Sequence, residues 1–232
     1  MQNQGKGILR DNKNKVHLIR YADDFIVTAD NPDILRDKLK PVIEKFLAER
    51  GLLLSEEKTK ITNIKDGFNF LGQNIRKYRN GVLIIKPTTD SFLSIKSKVK
   101  EIINRNKSAT PLGLIAQLNP VIRGWCNYHK HVVSKDTFGK LDSYIFHCLW
   151  HWAKKRHQKM RIPWIKAKYF KTIGNNNWVF AAINDKGEYY AIYRAGLTPI
   201  KRHVLIKGEA NPYDEVWSEY FVKRKAGYRF LL

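Results

Sequence analysis

At 232 residues, 43 % apolar and 12 % aromatic, the chain is long enough to bury a core and is no disordered tail. Its 43 Lys and Arg against 21 Asp and Glu leave a net charge of +22, a surface that repels itself unless it meets a polyanion, nucleic acid first among them. Cys126 and Cys148, 22 residues apart, exclude a disulfide framework and a CxxC zinc site, and no run of apolar residues is long enough for a membrane-spanning helix. The opening stretch, MQNQGKGILRDNKNKV, has no apolar stretch of the kind a signal peptide needs, so a reduced cytosolic protein is expected.

The first 90 residues read as α+β. Short strands are expected at 16–21 and 25–28, around Ala22-Asp23-Asp24. Asn31 suits an N-cap and Pro32 a first helical turn. Leu35, Leu39, Val42, Ile43, Phe46 and Leu47 then form a helical stripe, kinked at Pro41 and stopped by Gly51. Further strands are expected at 59–64, 68–76 and 82–85, with Asn80-Gly81 turning the last two into a hairpin. From residue 91 the pattern becomes helical. A helix over 91–104 puts Phe92, Ile95, Val99, Ile102 and Ile103 on one face. A second runs over 111–131, with Pro111 in its first turn and Pro120 inside. A third, capped by Ser134, reaches about residue 157; three such helices make a small bundle. The remainder mixes a helical stretch at 164–170 with hairpin strands at 178–183 and 189–193 around Asn184-Asp185-Lys186-Gly187.

Charge follows the same division. Residues 1–90 carry 17 Lys and Arg and 12 Asp and Glu; residues 91–165 carry 14 and 3; residues 166–232 carry 12 and 6. The middle stretch is therefore the expected polyanion surface. Lys96, Lys98, Lys100, Arg105 and Lys107 offer phosphate contacts along one helix, and Arg123, Lys130, Lys154, Lys155, Arg156, Lys159 and Arg161 add more. Trp125, Tyr128, Trp150, Trp152 and Trp164 are interleaved with them, and aromatics stack on unpaired bases. For Trp125 and Trp150 core packing is the preferred reading. His147 and His151 share a helical face, but no Glu or Cys stands beside them in a zinc pattern. They read, with His129, His131 and His157, as packing or RNA-contacting residues. The cysteines read as small buried hydrophobes.

The most informative stretch is Arg20-Tyr21-Ala22-Asp23-Asp24-Phe25-Ile26-Val27. Two adjacent carboxylates at a hairpin turn between apolar strands suit Mg²⁺, which takes one or two carboxylates plus substrate phosphates. Two such ions activate an attacking hydroxyl and steady a leaving oxygen in phosphoryl transfer. The plain alternative is a solvated Asp-Asp turn.

Tyr21-Ala22-Asp23-Asp24 resembles the catalytic box of reverse transcriptases. Gly51-Leu52-Leu53-Leu54-Ser55-Glu56-Glu57-Lys58-Thr59-Lys60-Ile61 resembles the next palm block, and Phe68-Asn69-Phe70-Leu71-Gly72 the block after it. Ile122-Arg123-Gly124-Trp125-Cys126-Asn127-Tyr128-His129, with Leu141-Asp142, resembles the thumb or maturase domain of group II intron-encoded proteins. The segments around Trp164–Phe170 and Trp178-Val179-Phe180 match what commonly follows. The resemblance runs in order over about residues 15–180.

The resemblance implies an α+β fold in three parts. Residues 1–90 are the C-terminal half of a reverse-transcriptase palm, of antiparallel strands plus a helix. Residues 91–162 are a helical thumb or maturase bundle, and residues 163–232 a small, mixed, basic segment. It implies that Asp23 and Asp24 are catalytic residues holding a two-ion Mg²⁺ site, incomplete in this chain. Lys58 would act near the departing pyrophosphate, though a solvated lysine in a charged turn remains the alternative. Phe70, Leu71 and Gly72 would help hold a primer end. Relatives carry fingers, the first palm half and a third metal-binding Asp upstream of the Asp-Asp box, so the chain is expected to be a C-terminal piece, inactive in polymerisation alone. The expected function is an RNA-binding maturase that promotes group II intron folding and splicing. The alternative is the Asp-Asp half of a split reverse transcriptase completed by a separate N-terminal fingers and palm polypeptide. Expected partners are group II intron RNA and possible target DNA, with no membrane, in a bacterial cytoplasm or an organelle.

Overall fold

The computed structural model describes residues 13–202, 206–208 and 210–229. Residues 1–12, which carry most of the stretch read against a signal peptide, and residues 203–205, 209 and 230–232 of the C-terminal segment lie outside the described residues. Within them the protein is a mixed α+β fold of six α-helices and three small sheets. It divides into two compact units: residues 1–68 with 76–81, and residues 69–75 with 82–232.

In the first unit, β1 (His17–Tyr21) and β2 (Asp24–Thr28) form an antiparallel hairpin whose register pairs His17 with Thr28 and Tyr21 with Asp24. Asn31 turns the chain as expected, its Oδ1 accepting from Asp33 N at 2.9 Å. The helix that follows stays helical through Pro41, which cannot donate a backbone hydrogen bond, but changes there from π to α geometry. A wider π-helical turn, Ile34–Leu39, precedes it, and α1 (Lys40–Ala48) holds it in its first turn. Gly51 ends the segment in left-handed conformation, φ 67°. The strand expected at 59–64 is absent. Asn63 instead closes a turn, its side chain accepting from Lys65 N and its carbonyl from Asp66 N and Gly67 N. None of the described residues of this unit is buried.

The run expected as one strand at 68–76 is two, β3 (Phe68–Phe70) and β4 (Gln73–Lys77), reversed at Leu71-Gly72; β5 (Leu83–Pro87) completes the sheet in the order β3-β4-β5. Leu71 and Gly72 both have positive φ, 48° and 70°. That conformation closes two-residue hairpins with the right twist, and a leucine adopts it against its own preference.

The core lies in the second unit. Thr88 caps α2 (Thr89–Arg105) by accepting from Ser91 N, and Thr110 caps α3 (Pro111–His129) by accepting from Gly113 N. Ser134 stands at the N-cap position of α4 (Lys135–Arg156), but its hydroxyl donates to His129 O at 2.9 Å instead of capping. Ile95, Val99 and Ile103 from α2 pack with Leu114, Ile115, Leu118 and Ile122 from α3 and Phe138, Leu141, Ile145 and Leu149 from α4. Burying each such side chain is worth roughly 1.5–3 kcal/mol, and this supplies the stability.

Beyond the bundle come α5 (Ile162–Tyr169), β6 (Phe170–Ile173), β7 (Asn176–Ile183) and β8 (Tyr189–Ala191), the strands antiparallel in that order. Side chains from the bundle hold the chain after β7 through its backbone groups. Asn119 donates to Ala191 O and accepts from Tyr193 N; Asp142 accepts from Ala195 N and Gly196 N; Lys135 donates to Gly196 O and Thr198 O. A last helix, α6 (Ser218–Arg229), was not foreseen in the sequence pattern.

Candidate metal carboxylates and nucleic-acid interface

The Asp-Asp pair sits on the tip of the first hairpin. Ala22 and Asp23 form a two-residue turn, Ala22 with φ 50°, and Arg20 Nε donates to Ala22 O at 2.8 Å across it. Asp24 opens β2. Both carboxylates are exposed and make no hydrogen bond or ion pair among the described residues. They offer hard oxygen donors of the kind a divalent cation takes while sharing its remaining positions with water and phosphate. No group of three or more His, Cys, Asp or Glu side chains among the described residues is arranged to hold a metal. Lys58 lies in a turn closed by its own N–H on Ser55 O, exposed and without an ion pair to either carboxylate.

Phe70, Leu71 and Gly72 line a shallow cleft of about 530 Å³ together with Asn69, Thr88, Asp90, Ser91, Ser94 and Trp125. Its walls are tied to the bundle. Tyr128 OH donates to Leu71 O at 2.7 Å, Thr88 N to Gly72 O at 3.0 Å, and Trp125 Nε1 to Ser91 Oγ at 3.1 Å. Behind Ser91 stands His129, fully buried, with Nε2 3.0 Å from Ser91 Oγ and Nδ1 without a partner among the described residues. Burial, and secondarily His131, hold its pKa down at about 4, so the ring is neutral. The family resemblance singled out residues 70–72, but within an expected strand; no residue pattern signals the turn there, or that Tyr128 and the Trp125–Ser91–His129 chain support it.

The twelve basic residues expected to meet phosphate divide by what they already touch. Lys96 is half-buried with Nζ 4.6 Å from the Tyr144 ring, and Arg105 pairs with Glu101 at 2.6 Å. Arg123 lies over Tyr193, and Arg156 donates to the carbonyls of Ala109 and Ser108 while covering Trp152. Lys130 reaches Asn127. Lys98, Lys100, Lys107, Lys154, Lys155, Lys159 and Arg161 remain exposed without a hydrogen bond or ion pair among the described residues. The helix does not present its bases as a single row: at about 100° per residue Lys96 and Lys100 flank one side of the buried stripe, Lys98 and Arg105 the other. Among the aromatics, Trp152 is buried, Trp125 and Trp150 are packed against the core, and Tyr128 and Trp164 are exposed. His151 Nδ1 lies 2.7 Å from His147 O.

Residues 2–75 match the family described as reverse transcriptase (RNA-dependent DNA polymerase), and residues 93–170 the group II intron, maturase-specific domain. The two matches follow one another along the chain, the reverse-transcriptase match first and the maturase-specific match after it. Among similar proteins, Maturase-like protein 1 of Euglena gracilis is 30% identical over 114 residues, covering 48% of this chain and 24% of the relative. The group II intron-encoded protein LtrA of Lactococcus lactis subsp. cremoris is 28% identical over 143 residues, 48% of this chain and 23% of the relative. An uncharacterized 91 kDa protein in cob intron of Schizosaccharomyces pombe is 29% identical over 156 residues, 57% of this chain and 19% of the relative. The chain spans about a fifth to a quarter of the length of these curated relatives. The matched maturase-specific residues coincide with α2, α3, α4 and α5, and no helix among the described residues is long and apolar enough to cross a membrane.

Proposed function

We propose that the chain binds structured group II intron RNA through its maturase-specific helices and helps that RNA reach its splicing-competent fold, the RNA performing the splicing chemistry. One observation carries this reading: the maturase-specific stretch is the well-packed part of the protein, and the exposed bases of α2, α4 and the residues after α4 stand on it. A rigid scaffold with unpaired cations offers phosphate contacts at little ordering cost. Asp23 and Asp24 are the residues that would hold a divalent ion, Mg²⁺ by the chemistry of the donors; bound there, it would supply charge neutralisation at phosphate. Lys58 would stand as a phosphate-facing cation of that segment, and the 70–72 turn as the support of a primer end.

The second reading, a reverse-transcriptase segment completed by a separate fingers and palm polypeptide, rests on the first unit. Leu18, Ile19 and Tyr21 on β1 are 65%, 54% and 64% exposed, and a two-stranded sheet is marginal alone. Competition binding tests the main proposal. Labelled group II intron RNA bound to the full chain should be displaced by unlabelled intron RNA at much lower concentration than by random RNA of equal length. Equal displacement by both would reduce the chain to a non-specific polyanion binder.

A further inference from the structure

We propose that the junction between α4 and α5 is a stacking site for an unpaired base of single-stranded RNA, with Trp164 as its platform. The proposal deepens the RNA-binding reading and rests on it. From Ser143 to Asn184 the sequence holds eight Lys and Arg and no Asp or Glu. In this acid-free stretch Trp164 is the tryptophan that the core leaves out: it is 38% exposed, whereas Trp152 is buried and Trp150 and Trp178 pack against the hydrophobic cluster. Its indole N–H has no acceptor among the described residues.

The ring is nevertheless held in place. His157 meets it edge-on, with centroids 4.8 Å apart, and His157 Nε2 lies 2.7 Å from the hydroxyl of buried Tyr169. Lys168, one helical turn on, places Nζ 4.7 Å from the ring centroid. Pro163 fixes the backbone beside it in the first turn of α5. An exposed indole fixed by a pinned neighbour loses little entropy when a base lies on it. Arg161 and Lys159, exposed and without a hydrogen bond or ion pair among the described residues, precede it closely in the chain, so free cations for a nucleotide's phosphate accompany the ring in sequence. Bases within a duplex already have both faces stacked, so this platform selects unpaired ones.

Two measurements on the full chain test the site. A short single-stranded RNA containing iodouridine should, on irradiation, crosslink at Trp164, as mapped by mass spectrometry of the digested protein. Trp164→Ala should weaken binding of the same strand by about tenfold while changing affinity for the matching RNA duplex less than about twofold, and Trp164→Phe should restore most of the loss. Crosslinks that map elsewhere, or equal losses on strand and duplex in a variant of unchanged melting temperature, overturn the stacking site and leave the RNA-binding reading standing. Absence of binding to either RNA overturns both.

Discussion

Asp23 and Asp24 separate binding from chemistry. Both are exposed at a hairpin tip, so replacing either by Ala should move stability by no more than about 0.5 kcal/mol. Removing a negative charge cannot weaken attraction to phosphate, so intron RNA affinity of Asp23→Ala and Asp24→Ala should stay level or rise slightly in a filter-binding assay. A loss of affinity in the folded variant would place the carboxylate, through a bound cation, in the RNA contact itself. His129 gives a pH signature. Its pKa is held at about 4 by burial, against 6.5 for the free side chain, so between those values the unfolded chain binds a proton that the folded chain refuses. Stability from this ring is full above about pH 6.5 and is lost as pH falls toward 4, by up to about 3 kcal/mol. Urea midpoints measured from pH 7 to 4.5 should show that decline in the native protein and a shallower one in His129→Gln.

At the scale of elements, the turn at Leu71-Gly72 ties residues in the reverse-transcriptase match to residues in the maturase-specific match, within the second unit. Tyr128 from α3 holds the carbonyl of a leucine that sits in left-handed conformation. Tyr128→Phe should cost about 1 kcal/mol, the worth of one hydrogen bond. Leu71→Gly in that background should return part of it, since glycine accepts the conformation freely, and a chemical-denaturation cycle over the four proteins reads both. The same turn marks the limit of what the sequence discloses. The helices of the bundle were legible, because their apolar residues recur at helical spacing and Pro111 and Ser134 mark two of their starts; the Thr88 and Thr110 caps are seen in the structure alone. A break inside Phe68–Lys77 was not legible, because Leu71 carries no local turn signal and its positive φ is imposed by Tyr128 and Thr88 from elsewhere in the chain. Lys58 and the Asp-Asp pair were legible only as motif. The division of the basic residues into engaged and free ones depends on partners such as Tyr144, Glu101 and the Ala109 carbonyl, which no spacing rule reveals.

Across the whole molecule the two units differ in kind. All the buried hydrophobic side chains among the described residues belong to the second unit, while the first exposes Val42, Phe46, Leu52 and Leu53 besides the apolar face of β1. Hydrogen exchange should therefore find the slow amides in α2, α3 and α4 and fast exchange through residues 13–68. Charge acts on the same scale. Binding to intron RNA should fall steeply with salt, with a log–log slope of several units, and each of Lys98→Ala, Lys100→Ala, Lys154→Ala and Lys155→Ala should reduce the slope by up to about one. Lys96→Ala should reduce it less, since that ammonium already rests on Tyr144.

The maturase-specific match ends at residue 170, yet Asn119 and Asp142 reach past it to the backbone at 191–196. Burial already raises the pKa of Asp142, and the two peptide N–H groups that it receives act against that rise. The boundary of family likeness is thus narrower than the boundary of the cooperative folding unit. A chain cut at residue 170 would retain every matched residue and still strand a carboxylate and an amide facing an emptied surface. It should melt earlier than a chain ending after residue 202, and Asp142→Asn should narrow the gap between the two by removing the charge left without its donors.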